Sequence, residues 1–293
     1  FKNSKIISEN TYTNGNDVHV MHNTGTLTST NNTYIGTGSR ASSGDKWAYG
    51  IVNHGILTSN YDKIDISVFA RGMAIHQDST SDARVSNVNV SVHDNYTSMG
   101  IRAYSGNIVN ESGTYDIKAN NDSYGIYVES GNATNNSGTY LSSASVAAYG
   151  AYVDTGTLNL LGGELISTNS PTTYGIRISS GYVYQGTYDG AGTDAATMDP
   201  NSPSITSTGS TTGIGVSIGN GSYFYYDGKF ITSTSFKSDG DILTGTEKDY
   251  EPRTTPIYEI ADSYTEGETY YILDDNNYVQ TDITEFEEGV TYY

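Results

Sequence analysis

A glycine-centred motif recurs in this chain at a constant interval of 25 residues. Its regular copies are centred on Gly100, Gly125, Gly150 and Gly175. A fifth copy is centred on Gly215, 40 residues after Gly175, because a Gly-, Asp- and Pro-rich insertion at 189–203 lengthens that interval. Self-similarity at a fixed period indicates a repeat architecture, in which each unit packs only against its neighbours.

Further glycines divide each repeat into three short extended segments. A second glycine follows the first by six residues and a third by thirteen, as Gly131 and Gly138 follow Gly125. Glycine adopts positive φ at little cost, so these positions predict turns. Between the turns, β-branched and tyrosine residues alternate with polar ones, and no helical periodicity is present. We predict an all-β fold: a single-stranded parallel β-helix (β-solenoid) over residues 16–245, with about 25 residues per turn.

In such a stack, equivalent residues of successive turns lie above one another at about 4.8 Å. The alternation predicts four inward-facing ladders, since a one-residue slip would expose all of them. The first ladder is Met99, Tyr124, Tyr149, Tyr174 and Ile214; the second is Ile101, Ile126, Ala151, Ile176 and Val216; the third is Ala103, Val128, Val153, Ile178 and Ile218; and the fourth is Ile108, Ala133, Leu158, Val183 and Tyr223.

The composition fits a thin, repeated core better than a globular one. Apolar residues make up 35% of the chain, below the roughly 45–50% of ordinary globular domains. An aromatic fraction of 12%, which includes 27 tyrosines, argues against disorder. The chain has no cysteine, which excludes disulfides, thiolate catalysis and zinc–sulfur sites.

The net charge restricts the classes of partner. It is −19, from 14 Lys and Arg against 33 Asp and Glu. A polyanion repels phosphate backbones and anionic headgroups, so we predict neither nucleic-acid binding nor membrane insertion. No apolar run approaches the roughly 20 residues of a transmembrane helix. The chain begins at Phe1 and shows no signal-peptide pattern, so we expect a segment cut from a longer precursor.

Three further segments flank the repeats. Residues 1–15 are predicted to lead into the β-helix. Two prolines, Pro252 and Pro256, mark a linker at 246–257, and residues 258–293 form an acidic, tyrosine-rich repeat segment. A Gly-x-Thr-Tyr-Tyr motif occurs twice in this last segment, and the chain stops at the end of the second copy. We therefore expect the segment to be truncated.

The acidic segment contains one predicted β-hairpin. The strand-like runs at 270–273 and 278–281 flank Asp-Asp-Asn-Asn, which has the composition of a turn. The adjacent Asp274 and Asp275 lack the Asp-x-Asp-x-Asp-Gly spacing of a calcium loop, so we interpret them as turn residues.

The sequence motifs of the repeat resemble those of known families. They include Tyr124-Gly125-Ile126-Tyr127, Ser137-Gly138-Thr139-Tyr140 and Leu161-Gly162-Gly163-Glu164. They are similar to the right-handed parallel β-helices of the pectin-lyase-like class, and more closely to repeat arrays of Gram-positive bacterial surface proteins and phage tail-fibre proteins. The resemblance implies an extracellular location, on a bacterial cell surface or a phage virion. It says little about activity, because one fold carries many functions.

Motifs that mark common catalytic and cofactor sites are absent from the sequence. There is no Gly-x-Ser-x-Gly elbow, Walker motif or His-Glu-x-x-His. His19 and His22 are three residues apart, a spacing that points side chains of a regular strand to opposite faces. We therefore predict no catalytic residue, no cofactor and no metal site.

One outward face is the candidate binding surface. Its predicted ligand-binding residues are Arg102, Tyr104, Tyr127, Glu129, Tyr152, Asp154 and Arg177. Stacked tyrosine rings with flanking arginines and carboxylates can hold sugar rings or another protein. The competing interpretation is that these side chains only stabilise the sheet through contacts between neighbouring strands.

The leading functional prediction is a non-enzymatic extracellular rod, structural or adhesive, that presents this face to a glycan or to a host or cell-surface protein. A first alternative is a glycan-cleaving β-helix, such as a tailspike-like or secreted polysaccharide lyase or hydrolase. It would use Glu129 and Asp154, which occupy equivalent positions on neighbouring turns, as paired carboxylates. The insertion would add Asp189, Asp194 and Asp199, but no base.

A second alternative is a protomer that assembles into filaments, since open β-helix ends invite pairing. Self-association as a trimer or by end-to-end stacking therefore also stays open.

Overall fold

The computed structural model describes part of the chain. The described residues are 1–10, 17–38, 47–68, 71–186, 202–226, 228–232, 234–238, 241–244, 270–274 and 277–281. The chain divides into two compact units, Phe1–Glu247 and Lys248–Tyr293. The fold is all-β, and the described residues contain no helix.

The larger unit is a parallel β-solenoid of about eight turns with about 25 residues per turn, as predicted. The described residues contribute 23 strands to its sheet. The first seven are β1 (Lys5–Asn10), β2 (Val18–Asn23), β3 (Thr26–Thr30), β4 (Thr33–Gly38), β5 (Trp47–Asn53), β6 (Ile56–Asn60) and β7 (Lys63–Val68). Each of these strands is short enough to belong to a single face of the solenoid, and successive strands belong to successive faces.

Three long strands follow and contribute to more than one face of the solenoid. They are β8 (Arg71–Ser86), β9 (Val88–Asn110) and β10 (Gly113–Val128). The remaining strands of this unit are again short: β11 (Asn132–Asn135), β12 (Thr139–Ala144), β13 (Ala147–Val153), β14 (Thr157–Leu160), β15 (Glu164–Thr168), β16 (Thr172–Ile178), β17 (Tyr182–Gln185), β18 (Ser204–Thr208), β19 (Thr212–Ile218), β20 (Ser222–Tyr225), β21 (Lys229–Thr232), β22 (Thr234–Ser238) and β23 (Asp241–Thr244).

Each short strand pairs with the equivalent strand of the next turn. β13 pairs with β16 and β14 with β17, all in parallel, and Tyr149 lies opposite Tyr174 in register. The 25-residue sequence interval is therefore the interval between stacked residues. β1 pairs with β4 in the same way, with Lys5 opposite Thr33. The stack thus extends into residues 1–15, which the sequence analysis treated as a lead-in.

Three of the four predicted inward ladders are confirmed. The second, third and fourth ladders are buried and belong to one continuous hydrophobic cluster that fills the solenoid. Two large rings stack in this core with centroids 4.2 Å apart: Tyr115 of β10 and Tyr140 of β12. Burial of this apolar surface is the main favourable term of the fold.

Buried amide side chains line the core at two corners. At the first corner Asn23 donates to Asn53 Oδ1 at 2.6 Å, and Asn53 donates to Gln77 Oε1 at 2.7 Å. At the second corner, higher in the stack, Asn110 donates to Asn135 Oδ1 at 2.8 Å. Asn53 and Asn135 also donate to backbone carbonyls of their turns, so these buried amides have protein hydrogen-bond partners.

The first predicted ladder is wrong in direction. None of its members belongs to the main core cluster; Met99 instead lies in a separate cluster with Tyr49 and Met73. The cause is the glycine that follows each of them, which itself faces the core. A Cβ added to Gly125 would lie 2.5 Å from the Gly150 carbonyl oxygen and 3.0 Å from Tyr140 Cβ. Two successive positions therefore face inward, and the residue before the glycine turns outward.

The smaller unit contains the predicted hairpin. β24 (Tyr270–Asp274) and β25 (Asn277–Thr281) pair antiparallel, with Tyr271 opposite Gln280. The predicted linker at 246–257 and both predicted Gly-x-Thr motifs lie outside the described residues. The insertion acids Asp189, Asp194 and Asp199 lie outside them as well.

The inward glycines generate a first prediction. We expect Gly150→Ala to lower the free energy of unfolding by on the order of 1–3 kcal/mol, the usual cost of overpacking. The added methyl would lie 2.6 Å from the Gly175 carbonyl oxygen and 2.9 Å from Leu165 Cβ. The matched control is Gly25→Ala, which meets no atom within 4 Å and should change stability by about 0.5 kcal/mol or less. Urea unfolding followed by circular dichroism checks both, and equal midpoints for the two variants contradict the prediction.

Candidate functional site

The inward glycine places two columns of side chains next to each other on the outer surface. We call them together the outer strip. The inward position is a glycine in most of these turns and Ala74 in one of them. The first column holds the residues directly before the inward position: Tyr49, Met73, Met99, Tyr124, Tyr149 and Tyr174. The second column holds the residues two after the inward position: Val52, His76, Arg102, Tyr127, Tyr152 and Arg177. Because the strands pair in parallel and in register, each turn contributes one residue to each column.

The tyrosines of each column stack face to face. The Tyr127 and Tyr152 ring centroids are 5.1 Å apart with planes 8° from parallel, which confirms the predicted outward pair. In the first column Tyr124, Tyr149 and Tyr174 stack at 4.7 and 5.0 Å. The two columns meet edge to face, with Tyr124 and Tyr127 5.4 Å apart at 82°. Both geometries are favourable arrangements of aromatic rings.

Arginines close the ends of the second column's stack. The Arg102 guanidinium carbon lies 5.9 Å from the Tyr127 centroid, and that of Arg177 lies 5.8 Å from the Tyr152 centroid. Each of the two stacked rings therefore has one face against the other ring and the other face against a cation. A sugar cannot lie flat on these faces, contrary to the stacking mode predicted from the sequence. The strip instead offers ring edges, phenol hydroxyls and guanidinium N–H groups.

The remaining predicted residues form a third column beside the strip. Tyr104 is 41% exposed, and the Arg102 guanidinium lies 5.1 Å from its ring centroid. Glu129 is on the next turn and accepts hydrogen bonds from Arg102, with Nε to Oε2 at 3.1 Å. Asp154 follows one turn later, at the position equivalent to Glu129. The structure therefore brings all seven predicted residues onto one face.

The phenols of Tyr127 and Tyr149 stay protonated at neutral pH. Burial, reinforced by the negative charges of Glu129 and Asp154, raises the pKa of Tyr127 to about 12. Burial similarly raises the pKa of Tyr149, although the nearby Arg177 cation opposes this shift. These hydroxyls are therefore available as hydrogen-bond donors as well as acceptors.

Sequence reasoning missed half of the strip. Trp47, Tyr49, Tyr124, Tyr149 and Tyr174 were not candidate site residues, although Trp47 lies 5.8 Å from the Arg102 guanidinium carbon and stacks on Tyr49. The signal was present in the tyrosine that precedes three of the regular glycines. It was misread because a uniform two-residue alternation assigns that position to the core.

A histidine cluster lies at the N-terminal end of the same face. The His19 and His22 rings are 5.4 Å apart, and His22 and His54 are 4.9 Å apart. The prediction that His19 and His22 face opposite sides is therefore wrong. Val20 occupies the position of the inward glycine, since His19 is opposite Tyr49 and Met21 is opposite Ile51 in register.

His76 is the buried member of this region. Its side chain lies between the rings of Tyr49 and Tyr104, at 5.4 and 6.1 Å, and its Nε2 is 3.7 Å from Asp78. Burial, together with the positive charge of Arg102, lowers the pKa of His76 to about 3. Among the residues that the structure describes, no group of three or more His, Asp or Glu is arranged to hold a metal ion.

His76 generates a second prediction. Below its usual pKa of 6.5, the unfolded chain binds a proton that the folded chain does not. The free energy of unfolding should therefore fall as pH falls from about 6.5 towards about 3. His76→Phe keeps an aromatic ring between Tyr49 and Tyr104 and removes this term. Between pH 7 and pH 4 we expect the wild type to lose on the order of 3 kcal/mol more than the variant. Urea unfolding at both pH values measures the difference, and equal losses contradict the prediction.

No described helix is long and apolar enough to cross a membrane. Comparisons with protein-family models, curated proteins and solved structures give no match to this chain. The geometry of the outer strip is therefore the basis for a functional proposal.

Proposed function

We propose that this chain is a non-enzymatic extracellular rod that presents the outer strip to a glycan or to a host or cell-surface protein. The observation that carries the proposal is the part of the strip in which tyrosines stack at the spacing of the turns and arginines flank them. Its residues are Arg102, Tyr124, Tyr127, Tyr149, Tyr152, Tyr174 and Arg177. The proposed location, on a bacterial cell surface or a phage virion, rests on the resemblance of the repeat motifs to those of Gram-positive surface proteins and phage tail fibres. Self-association as a trimer or end to end remains a prediction.

Preorganisation of the strip supports a binding role. Ring stacking and the ion pair between Arg102 and Glu129 hold these side chains in one arrangement. Tyrosine loses little conformational entropy on binding, and a fixed side chain loses less still. The hydroxyl edges and guanidinium groups suit hydrogen bonding to the hydroxyls of a sugar or to polar groups of a protein.

The ion pair at Glu129, one of the two predicted carboxylates, favours binding over cleavage. Glycoside hydrolysis needs one carboxyl group to protonate the leaving group and another to act as base or nucleophile. Glu129 is instead ion-paired with Arg102, so its carboxylate is already engaged by a cation of the same face. An open depression of about 470 Å³ lies elsewhere, near Ser143 and Pro171, and its titratable side chain Lys118 pairs with Asp116.

The test separates the hydroxyl edges from the ring packing. We expect the double variant Tyr127→Phe/Tyr152→Phe to keep the stacked rings and unfold at the wild-type temperature, but to bind its glycan about tenfold or more weakly. A glycan array followed by titration of the hits measures binding, and a reducing-end assay on the same hits measures cleavage. We expect binding without new reducing ends.

The matched control removes two hydroxyls outside the strip. Tyr61→Phe/Tyr182→Phe changes tyrosines that are 61% and 46% exposed, and should bind like the wild type. Wild-type affinity in the Tyr127/Tyr152 variant would remove the strip from the binding site. New reducing ends would establish the glycan-cleaving alternative instead.

A further inference from the structure

The two arginines of the second column differ in how their charge is neutralised. The Arg102 side chain is 18% exposed and ion-paired with Glu129. Arg177 is exposed, and within the described part of the chain it forms no ion pair with a carboxylate. The same column position thus carries one neutralised and one unneutralised cation.

The sequence of the next turn explains the difference. Glu129 comes directly after Val128, which is opposite Ala103 in register, so it lies one turn above and beside Arg102. The residue at the equivalent place above Arg177 is Gly219, which follows Ile218 opposite Ile178. Glycine supplies no carboxylate there. Among the residues that the structure describes, the positive charge of Arg177 is therefore not paired with a carboxylate.

Arg177 is nevertheless held in place. Its guanidinium carbon lies 5.8 Å from the Tyr152 centroid and 5.4 Å from the Tyr174 centroid. Its positive charge also acts on Tyr149, where it opposes the rise in pKa that burial causes. The residue opposite Arg177 on the next turn is Ser217, so the aromatic column ends here in a small side chain. A guanidinium has five N–H donors, and such an oriented group loses little entropy when it binds.

We infer that Arg177 is an anion-binding position and that its ligand is the carboxylate of an acidic sugar. This inference rests on the proposed function and names the ligand class of the same site. A guanidinium bonds a carboxylate through two parallel N–H groups, which is a planar and specific match. The neighbouring tyrosine hydroxyls supply hydrogen bonds for the hydroxyls of the sugar that carries the carboxylate.

The net charge of the chain supports Arg177, rather than Arg102, as the residue that binds the carboxylate. At −19 the protein as a whole repels an acidic glycan. Recognition of a carboxylate therefore depends on a local cation that no internal acid has already neutralised. Arg102 is unsuitable because Glu129 occupies it, whereas Arg177 meets the requirement.

The experiment uses a ligand pair that differs only in charge. Hyaluronan oligosaccharides and their methyl esters share one sugar backbone, and titration calorimetry measures the affinity of each for the 293-residue chain. We expect the wild type to bind the acid about tenfold or more tightly than the ester, the range of a charged hydrogen-bond pair. Arg177→Gln should bind both oligosaccharides with equal affinity, at the wild-type affinity for the ester.

A second pair of variants leaves Arg177 itself unchanged. Ser217→Glu places a carboxylate directly opposite Arg177, where opposite charges on neighbouring strands attract, and should remove the preference for the acid. Ser217→Gln has nearly the same shape without the charge and should keep the preference. Thermal unfolding at the wild-type temperature confirms that both variants are folded.

The outcomes separate this inference from the proposed function. Equal binding of acid and ester by the wild type overturns the role of Arg177 and leaves glycan binding in place. A preference that survives in both Arg177→Gln and Ser217→Glu also overturns it. Binding of neither oligosaccharide, or of an acidic peptide alone, overturns this inference, whereas the glycan form of the proposed function is decided by the glycan array.

Discussion

The close approach of stacked glycines is the constraint on which the rest of this structure depends. At Gly100, Gly125 and Gly150 a Cβ would lie 2.5–2.6 Å from the carbonyl oxygen of the glycine on the next turn. The missing side chain lets this part of each turn pack against the core and lets two successive positions face inward. The preceding residue is therefore turned out beside the residue two after the glycine. The outer strip is thus a consequence of a core-packing requirement, repeated at every regular turn.

The period of the sequence was sufficient to predict the stacking but not every side-chain direction. A repeat of 25 residues determines which residues lie above one another, and the pairing of Tyr149 with Tyr174 follows from it. Direction was inferred from a strict two-residue alternation, which a local departure such as a bulge interrupts. The same departure explains both errors, the tyrosine ladder and the pair His19 and His22. No local signal distinguishes an inward glycine from a turn glycine, because its position depends on atoms of the next turn.

The interior explains why so polar a sequence folds. Amide ladders and buried serines replace apolar side chains at the corners and along parts of the strands. Asn53, for example, donates to Gln77 on the next turn and to the Gly55 carbonyl of its own turn, so this buried amide finds its partners within the protein. Stacked tyrosines contribute large buried areas with few residues. A solenoid of this kind therefore forms with an apolar fraction of 35%, below that of a globular domain.

The repeat also makes it possible to recognise a position that differs from its equivalents on other turns. In a stack of equivalent turns, each position has neighbours above and below that act as its internal comparison. Glu129 compensates Arg102, whereas the chain has Gly219 at the place that would compensate Arg177. A purely structural strip has no need of an exposed cation on a platform of three tyrosines. Since ring packing and ion pairing stabilise the lower turns without help from a ligand, the end of the aromatic column is where an external group can still add a contact.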